Sequence, residues 1–330
     1  MTQRRLERAI SVPVASLFVC FCTAGCLSYE SAPQPQPPRP GRHTFALEAG
    51  GVERSYVVHV PASYDPATPS PVVIMFHGGG GTARGAMWQT GWTDKAEEEG
   101  FLAVFPEGTR ADPTWPARFL YNPQTWNDGS GRINLGAARR QVAEVEFVRA
   151  MIEDLCVRFA VDRRRIFATG FSNGASMAFR VGRELPKCLA AIAPVAGNDW
   201  SQQSTIERPV PVLYITGTSD PLNPIEGGEI WVGSLSFGEK PPLRDLIQKW
   251  VRLLGCPPDP RVLYDKDGVK GIAYGPGKDR SEVVLYTIEG MGHTWPGGTC
   301  LLPRRMVGET SDKIEATDVI WEFFQRHPLK

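Results

Sequence analysis

The chain has 330 residues, with 36 basic and 36 acidic side chains and therefore a formal net charge of zero. Without a charge excess or a basic stripe, nucleic acid is not an expected partner. From about residue 42 onward there is neither an internal repeat nor a second linker, and the length suits one large domain.

The N-terminus reads as an address. Arg4, Arg5 and Arg8 form a basic start, and residues 9–25 are small or apolar and uncharged. They end in Thr23-Ala24-Gly25-Cys26. A basic start, a short apolar run and small residues before a cleavage point make a signal peptide over residues 1–25. The run is too short and too interrupted by Pro13 to span a bilayer comfortably. The small-small-Cys ending resembles the lipobox of bacterial lipoproteins, although Thr23 stands where that motif usually has Leu. The resemblance makes Cys26 the lipidation site and the only membrane contact. Plain secretion is the alternative. Residues 26–41 include SAPQPQPPRPG, a proline density that gives an extended, unpacked linker.

Beyond Cys26, four cysteines remain: Cys156, Cys188, Cys256 and Cys300. An even number in an oxidising compartment predicts disulfides. Three pairings exist, and Cys156–Cys188 with Cys256–Cys300 would join neighbouring elements. No pair has CxxC or His-rich spacing, so no metal site is expected.

The remainder, residues 42–330, alternates strand and helix. Short alternating runs at 44–48 and 54–60 read as antiparallel edge strands. Continuous apolar runs at 72–76, 102–105, 166–169, 189–195, 212–216 and 283–288 read as strands buried on both faces. Helical patterns fall at 93–99, 138–158, 173–185, 243–254 and 310–325. The prediction is an α/β fold with a mostly parallel sheet and helices on both faces. Function is then expected where the strands end.

Four strand ends carry chemistry. The first runs into His77-Gly78-Gly79-Gly80-Gly81, whose bare backbone N–H groups can approach a ligand. The second, Gly170-Phe171-Ser172-Asn173-Gly174, leads from an apolar strand through a sharp turn into a small-residue helix. The bare Gly-x-Ser-x-Gly pattern arises by chance roughly once in several chains of this length, and its flanks give it meaning. The third ends in Gly217-Thr218-Ser219-Asp220, and the fourth in Gly290-Met291-Gly292-His293. Of the five histidines, His293 alone sits among glycines after a strand without adjoining the glycine loop. Asp199, after the preceding strand, competes with Asp220 for the acid. The order Ser172, Asp220, His293 is that of the α/β-hydrolase fold, a nucleophile, an orienting acid and a general base. The N–H groups of Gly79 and Asn173 would form the oxyanion hole.

From Tyr56 to Trp321 the chain resembles the polyhydroxybutyrate depolymerase and feruloyl esterase group of secreted α/β-hydrolases. The resemblance rests on His77-Gly78-Gly79-Gly80, Thr125-Trp126-Asn127-Asp128-Gly129, Val161-Asp162, Gly170 to Met177, Ala193-Pro194-Val195-Ala196-Gly197, Gly217-Thr218-Ser219-Asp220 and Gly292-His293-Thr294-Trp295-Pro296-Gly297-Gly298. It implies hydrolysis of small-molecule or polymeric esters by a Ser-His-Asp triad, with no metal and no cofactor. One departure is visible. Members often carry an Asp pair before the helix Phe, whereas this chain has Ala143-Glu144 before Phe147, which is expected to change a supporting contact.

Substrate is less legible. Residues 107–135 carry Trp115, Phe119, Tyr121 and Trp126 and are expected to wall an acyl pocket, with His77, Trp126 and Trp295 as its lining. A monomer is expected. Competing readings are a peptidase on the same fold and a binding lipoprotein that has lost catalysis.

Overall fold

The computed structural model describes residues 38–232 and 235–330. The signal peptide, Cys26 and most of the proline-rich linker lie outside the described residues. Residues 37–330 form one compact unit.

Chain direction is set early by Gly50 and Gly51, whose φ values of 58° and 70° make the tight reversal between the first two strands. In order, the elements are β1 (Gly41–Ala49), β2 (Val52–Val60), β3 (Ser70–Phe76), α1 (Ala83–Thr90), α2 (Trp92–Glu99), β4 (Leu102–Pro106) and the two-residue strands β5 (Thr109–Arg110) and β6 (Gln124–Thr125). There follow α3 (Gly136–Arg139), α4 (Glu144–Arg158), β7 (Val161–Phe171), α5 (Asn173–Glu184), β8 (Ala191–Val195), β9 (Val212–Gly217), β10 (Gly228–Val232) and β11 (Leu235–Lys240). The chain closes with α6 (Leu243–Leu254), β12 (Arg261–Lys266), β13 (Val269–Tyr274), β14 (Val283–Ile288), α7 (Arg304–Val307) and α8 (Ala316–Gln325).

Ten strands form one sheet in the order β1-β2-β4-β3-β7-β8-β9-β14-β13-β12. The centre, β4-β3-β7-β8-β9-β14, is parallel. Antiparallel strands flank it on both sides. The central strands are buried on both faces, as their unbroken apolar runs require. One core lies between the sheet and α4, α5 and α6, around Trp126, Phe147, Phe179 and Trp250. The other lies on the opposite face under α1, α2 and α8, around Trp92, Phe167, Trp295 and Phe324.

Three expectations need correction. The helical pattern at 138–158 is two helices, because Gln141 takes a left-handed φ of 52° that no helix continues through. The last helix begins at Ala316, not at 310. The disulfides are absent, and Cys156, Cys188, Cys256 and Cys300 are all free thiols. Cys256 donates across to the Ser281 carbonyl at 3.9 Å, and Cys300 donates within its own turn to that of Leu302 at 3.2 Å.

Candidate active site

The serine turn is built by exclusion. Ser172 links β7 to α5 with φ 57° and ψ −120°, a conformation that a side chain seldom adopts. It is held there because the turn is packed against backbone on every side. A Cβ on Gly170 would lie 2.3 Å from the Gly174 carbonyl oxygen, and one on Gly174 would lie 2.2 Å from that of Phe76. Gly197 closes the third side, since a Cβ there would approach the Ser172 carbonyl oxygen to 2.6 Å. Ser172 itself donates its N–H to Val195 at 3.0 Å. Its side chain stays partly accessible, at the N-terminus of α5.

β9 and β14 lead into Asp220 and His293, the expected acid and base. They pair in parallel register, so the loops at their ends emerge side by side. Gly217 and Gly292 let these loops touch neighbouring backbone, because a Cβ on Gly217 would meet the Met291 carbonyl oxygen at 2.0 Å. Across that contact, His293 Nδ1 lies 2.8 Å from Asp220 Oδ2. Both side chains are almost fully buried. The other oxygen, Asp220 Oδ1, accepts the N–H groups of Leu222 and Asn223, each at 2.8 Å. The Asn223 amide in turn donates to Tyr214 and Thr216, and the Tyr214 hydroxyl donates to Gly197 at 2.7 Å. The acid is therefore fixed to the same Gly197 that packs on the serine. The His293 ring rests on Phe171, with centroids 4.8 Å apart, beside the serine turn.

Asp199, the competing acid, is committed elsewhere. Its carboxylate pairs with Arg183 at 3.2 Å and Lys249 at 2.9 Å.

The glycine loop lies against the same turn. Gly79 faces Asn173, a Cβ on it falling 3.7 Å from Asn173 Cβ. The N–H groups of Gly80 and Gly81 are used internally, by Gln124 and Gly78. The Asn173 side chain points away from the cleft, where its amide oxygen accepts from Trp126 N–H at 2.8 Å and its nitrogen donates to Asp128 at 2.8 Å. Arg132 pairs with the same Asp128 oxygen at 2.7 Å.

The three expected pocket residues are scaffold instead. Trp126 is wholly buried, and its indole N–H donates to the His77 carbonyl at 2.8 Å. Trp295 is core, with its N–H on Thr317 at 3.2 Å. His77 is buried behind the glycine loop, where its Nδ1 donates to Gly78 O at 2.8 Å and its Nε2 accepts from Gly108 at 2.9 Å. Burial pushes it down to about 4, so it is neutral and its tautomer is fixed by those two bonds. Trp115 and Tyr121 are exposed. The residues quoted for substrate are large aromatics, and large aromatics are what a core recruits first.

Two contributors were not read from the sequence. Glu144, noted only as a departure, is fully buried against Arg54 at 2.8 Å and accepts from Thr109 at 3.2 Å. Lys240, from β11, is buried beside the acid's turn and donates to Pro224 O at 2.9 Å. Burial pushes its ammonium down to about 8 against the opposing pull of Asp220. A lysine ending a short hairpin strand carries no signal of this in sequence. Beside this turn opens a cleft of about 970 Å³, lined by residues that include Asn198, Trp200, Lys240 and Lys249. Asn198 N–H and the Trp200 indole both bond Ser176 Oγ, one helical turn from Ser172.

A family model described as phospholipase/carboxylesterase matches residues 59–235, more than half of the chain. The chain belongs to that family of α/β-hydrolases. It is a carboxylic ester hydrolase. The hydrolase is 28% identical over 83% of its length to a Nocardia uniformis subsp. tsuyamanensis protein named as an esterase, NocK, covering 79% of that protein. It is 27% identical over 73% of its length to feruloyl esterase B of Piromyces equi, and 24% identical over 72% to poly(3-hydroxyalkanoate) depolymerase C of Paucimonas lemoignei. It spans 42% and 58% of those two relatives. Among solved structures, the acetyl xylan esterase of Aspergillus awamori shares the fold at TM-score 0.54 and 14% identity, over 76% of this chain and 94% of that one.

Proposed function

We propose that the hydrolase cleaves carboxylic esters through an acyl-enzyme on Ser172. The observation that carries this reading is the 2.8 Å contact of His293 Nδ1 with Asp220, which leaves Nε2 as the ring nitrogen for the serine. His293 takes the Ser172 hydroxyl proton as Oγ attacks the ester carbonyl. The C=O bond becomes C–O⁻, held by the N–H groups of Gly79 and Asn173 at the start of α5. Collapse expels the alcohol, which leaves with the proton from His293. Water then attacks the acyl-serine, gives its proton to the same nitrogen, and releases the carboxylic acid and free Ser172. Asp220 keeps the imidazole in the working tautomer and stabilises its cation.

The cleft at Asn198 and Trp200 takes the larger arm of the ester, because both of these lining residues bond Ser176, one helical turn after the nucleophile. Feruloyl, acetyl and hydroxyalkanoate esters are all represented among the relatives. Residues 1–25 act as a lipoprotein-type signal peptide that places Cys26 at a membrane, with 26–41 as the tether to the catalytic domain.

Specificity constants for methyl ferulate, acetylated xylan, hydroxybutyrate oligomers and short p-nitrophenyl esters rank the acyl groups. Loss of all turnover in Ser172→Ala with an unchanged thermal transition supports the nucleophile. Retained turnover rejects it.

A further inference from the structure

Single exposed apolar side chains are ordinary on protein surfaces, but contiguous groups are not. The loop between β5 and β6 exposes Trp115, Leu120 and Tyr121 to 68%, 74% and 89% of their surface within seven residues. The loop is not slack. The Asn122 side chain accepts from Asp112 N–H at 2.7 Å and donates to the carbonyls of Asp112 and Trp115 at 2.8 and 2.9 Å. Residues 118 and 122 bridge its neck. Its tip turns back onto the candidate site, where Phe119 lies over Gly80 of the glycine loop. Beside that loop, α1 exposes Trp88, and Leu301 packs near Gly85 of the same helix while staying half-exposed.

Three unpaired arginines stand in the segments that carry this group. Arg84, Arg118 and Arg305 are exposed, and among the described residues none of them is in an ion pair. The loop's own acid, Asp112, is occupied by the Thr114 N–H at 2.8 Å and hydroxyl at 2.6 Å. Tryptophan and tyrosine with an apolar body and a polar tip, interspersed with free guanidinium groups, match a surface that is apolar below and anionic on top.

We propose that this rim of the catalytic face docks on an anionic lipid bilayer, with Trp115, Leu120 and Tyr121 entering the interface and Arg84, Arg118 and Arg305 meeting lipid phosphates. The chain outside the described residues favours this occupant. Residues 26–37, at the roughly 3.1 Å per residue of an extended proline-rich spacer, would reach about 37 Å, beyond the roughly 20 Å radius of a domain of this size. A chain tethered at Cys26 can therefore turn this face to the bilayer. The ester chemistry of Ser172 is measured separately, so failure of one reading leaves the other standing.

The test uses residues 38–330, which contain the whole sheet and both cores. The domain is floated with vesicles of phosphatidylcholine alone and with about one-third phosphatidylglycerol. It should rise with the anionic vesicles and be released as salt screens the contact. Trp115→Ser/Leu120→Ser/Tyr121→Ser should lower the bound-to-free ratio roughly tenfold or more and leave p-nitrophenyl acetate turnover unchanged. Arg84→Gln/Arg118→Gln/Arg305→Gln should remove the preference for phosphatidylglycerol, and it decides the matter if the loop variant unfolds. A parent that stays with the bulk phase, variants that bind as the parent does, or a parent that adheres to polyester film and not to vesicles would each overturn the proposal.

Discussion

Arg54 and Glu144 form an ion pair of 2.8 Å that is closed to solvent on both sides. Burial pushes the Glu144 carboxyl up, and the Arg54 guanidinium draws it back down. The same guanidinium donates to Glu107 O at 3.0 Å, next to Gly108, whose N–H holds His77, which in turn holds Gly78. A pair on β2 and α4 thus steadies the loop that carries Gly79.

Removing one partner leaves the other as an unpaired buried charge. Glu144→Ala should therefore cost about 3–5 kcal/mol in urea unfolding. Arg54→Met with Glu144→Leu should recover much of that stability, since the desolvation cost disappears with the charges. It should still lower kcat while KM changes little, because the anchor on Glu107 is gone. A double variant with full kcat would reduce the pair to a packing element.

His77 makes stability depend on acidity. Its folded value is depressed from 6.5 to about 4, so between those values the unfolded chain binds more protons. Its contribution is fully present above about pH 6.5 and is lost as pH falls towards 4, a change of about 3 kcal/mol. Unfolding free energies at pH 7 and 4.5 should fall more steeply in the parent than in His77→Gln. Parallel slopes would contradict the buried neutral imidazole.

Ser172 carries backbone strain of roughly 1–3 kcal/mol. Ser172→Ala keeps the strained φ, whereas Ser172→Gly relieves it. The glycine variant should be the more stable of the two by about 1 kcal/mol, with neither showing turnover. Equal stabilities would indicate that the turn is relaxed.

Asp220→Asn should lower kcat by about 10⁴ through the wrong imidazole tautomer. Asp199→Asn should act on stability, by unpairing Arg183 and Lys249, with kcat nearly unchanged. The reverse pattern would exchange the two acids.

The parallel strands were legible because burial on both faces writes itself as unbroken apolar runs, as in β9, and even the partly exposed Val283–Ile288 matches its reading to the residue. The strand-end glycines were legible because backbone contacts of 2.0–2.3 Å to a would-be Cβ leave no other residue type. The β12–β13 hairpin was missed, although Asp267-Gly268 is a hairpin signal, because β12 exposes its whole length and shows no alternation. Pocket residues were misread for a related cause. Trp126, Trp295 and His77 stand at strand-end loops in sequence, but whether a loop side chain faces the cleft or the core depends on partners such as Thr317 and Gly108, far away in the chain. Asn223 holds Asp220, and Lys240 holds the Pro224 carbonyl beside it, through contacts that only the folded turn creates.

The central claim is that Ser172 is acylated during turnover. Rapid mixing with p-nitrophenyl acetate should release about one equivalent of p-nitrophenol per chain in a burst before the steady state, and acid-quenched protein should carry an acetyl group on the peptide containing Ser172. No burst together with no adduct, or an adduct on another residue, would contradict it.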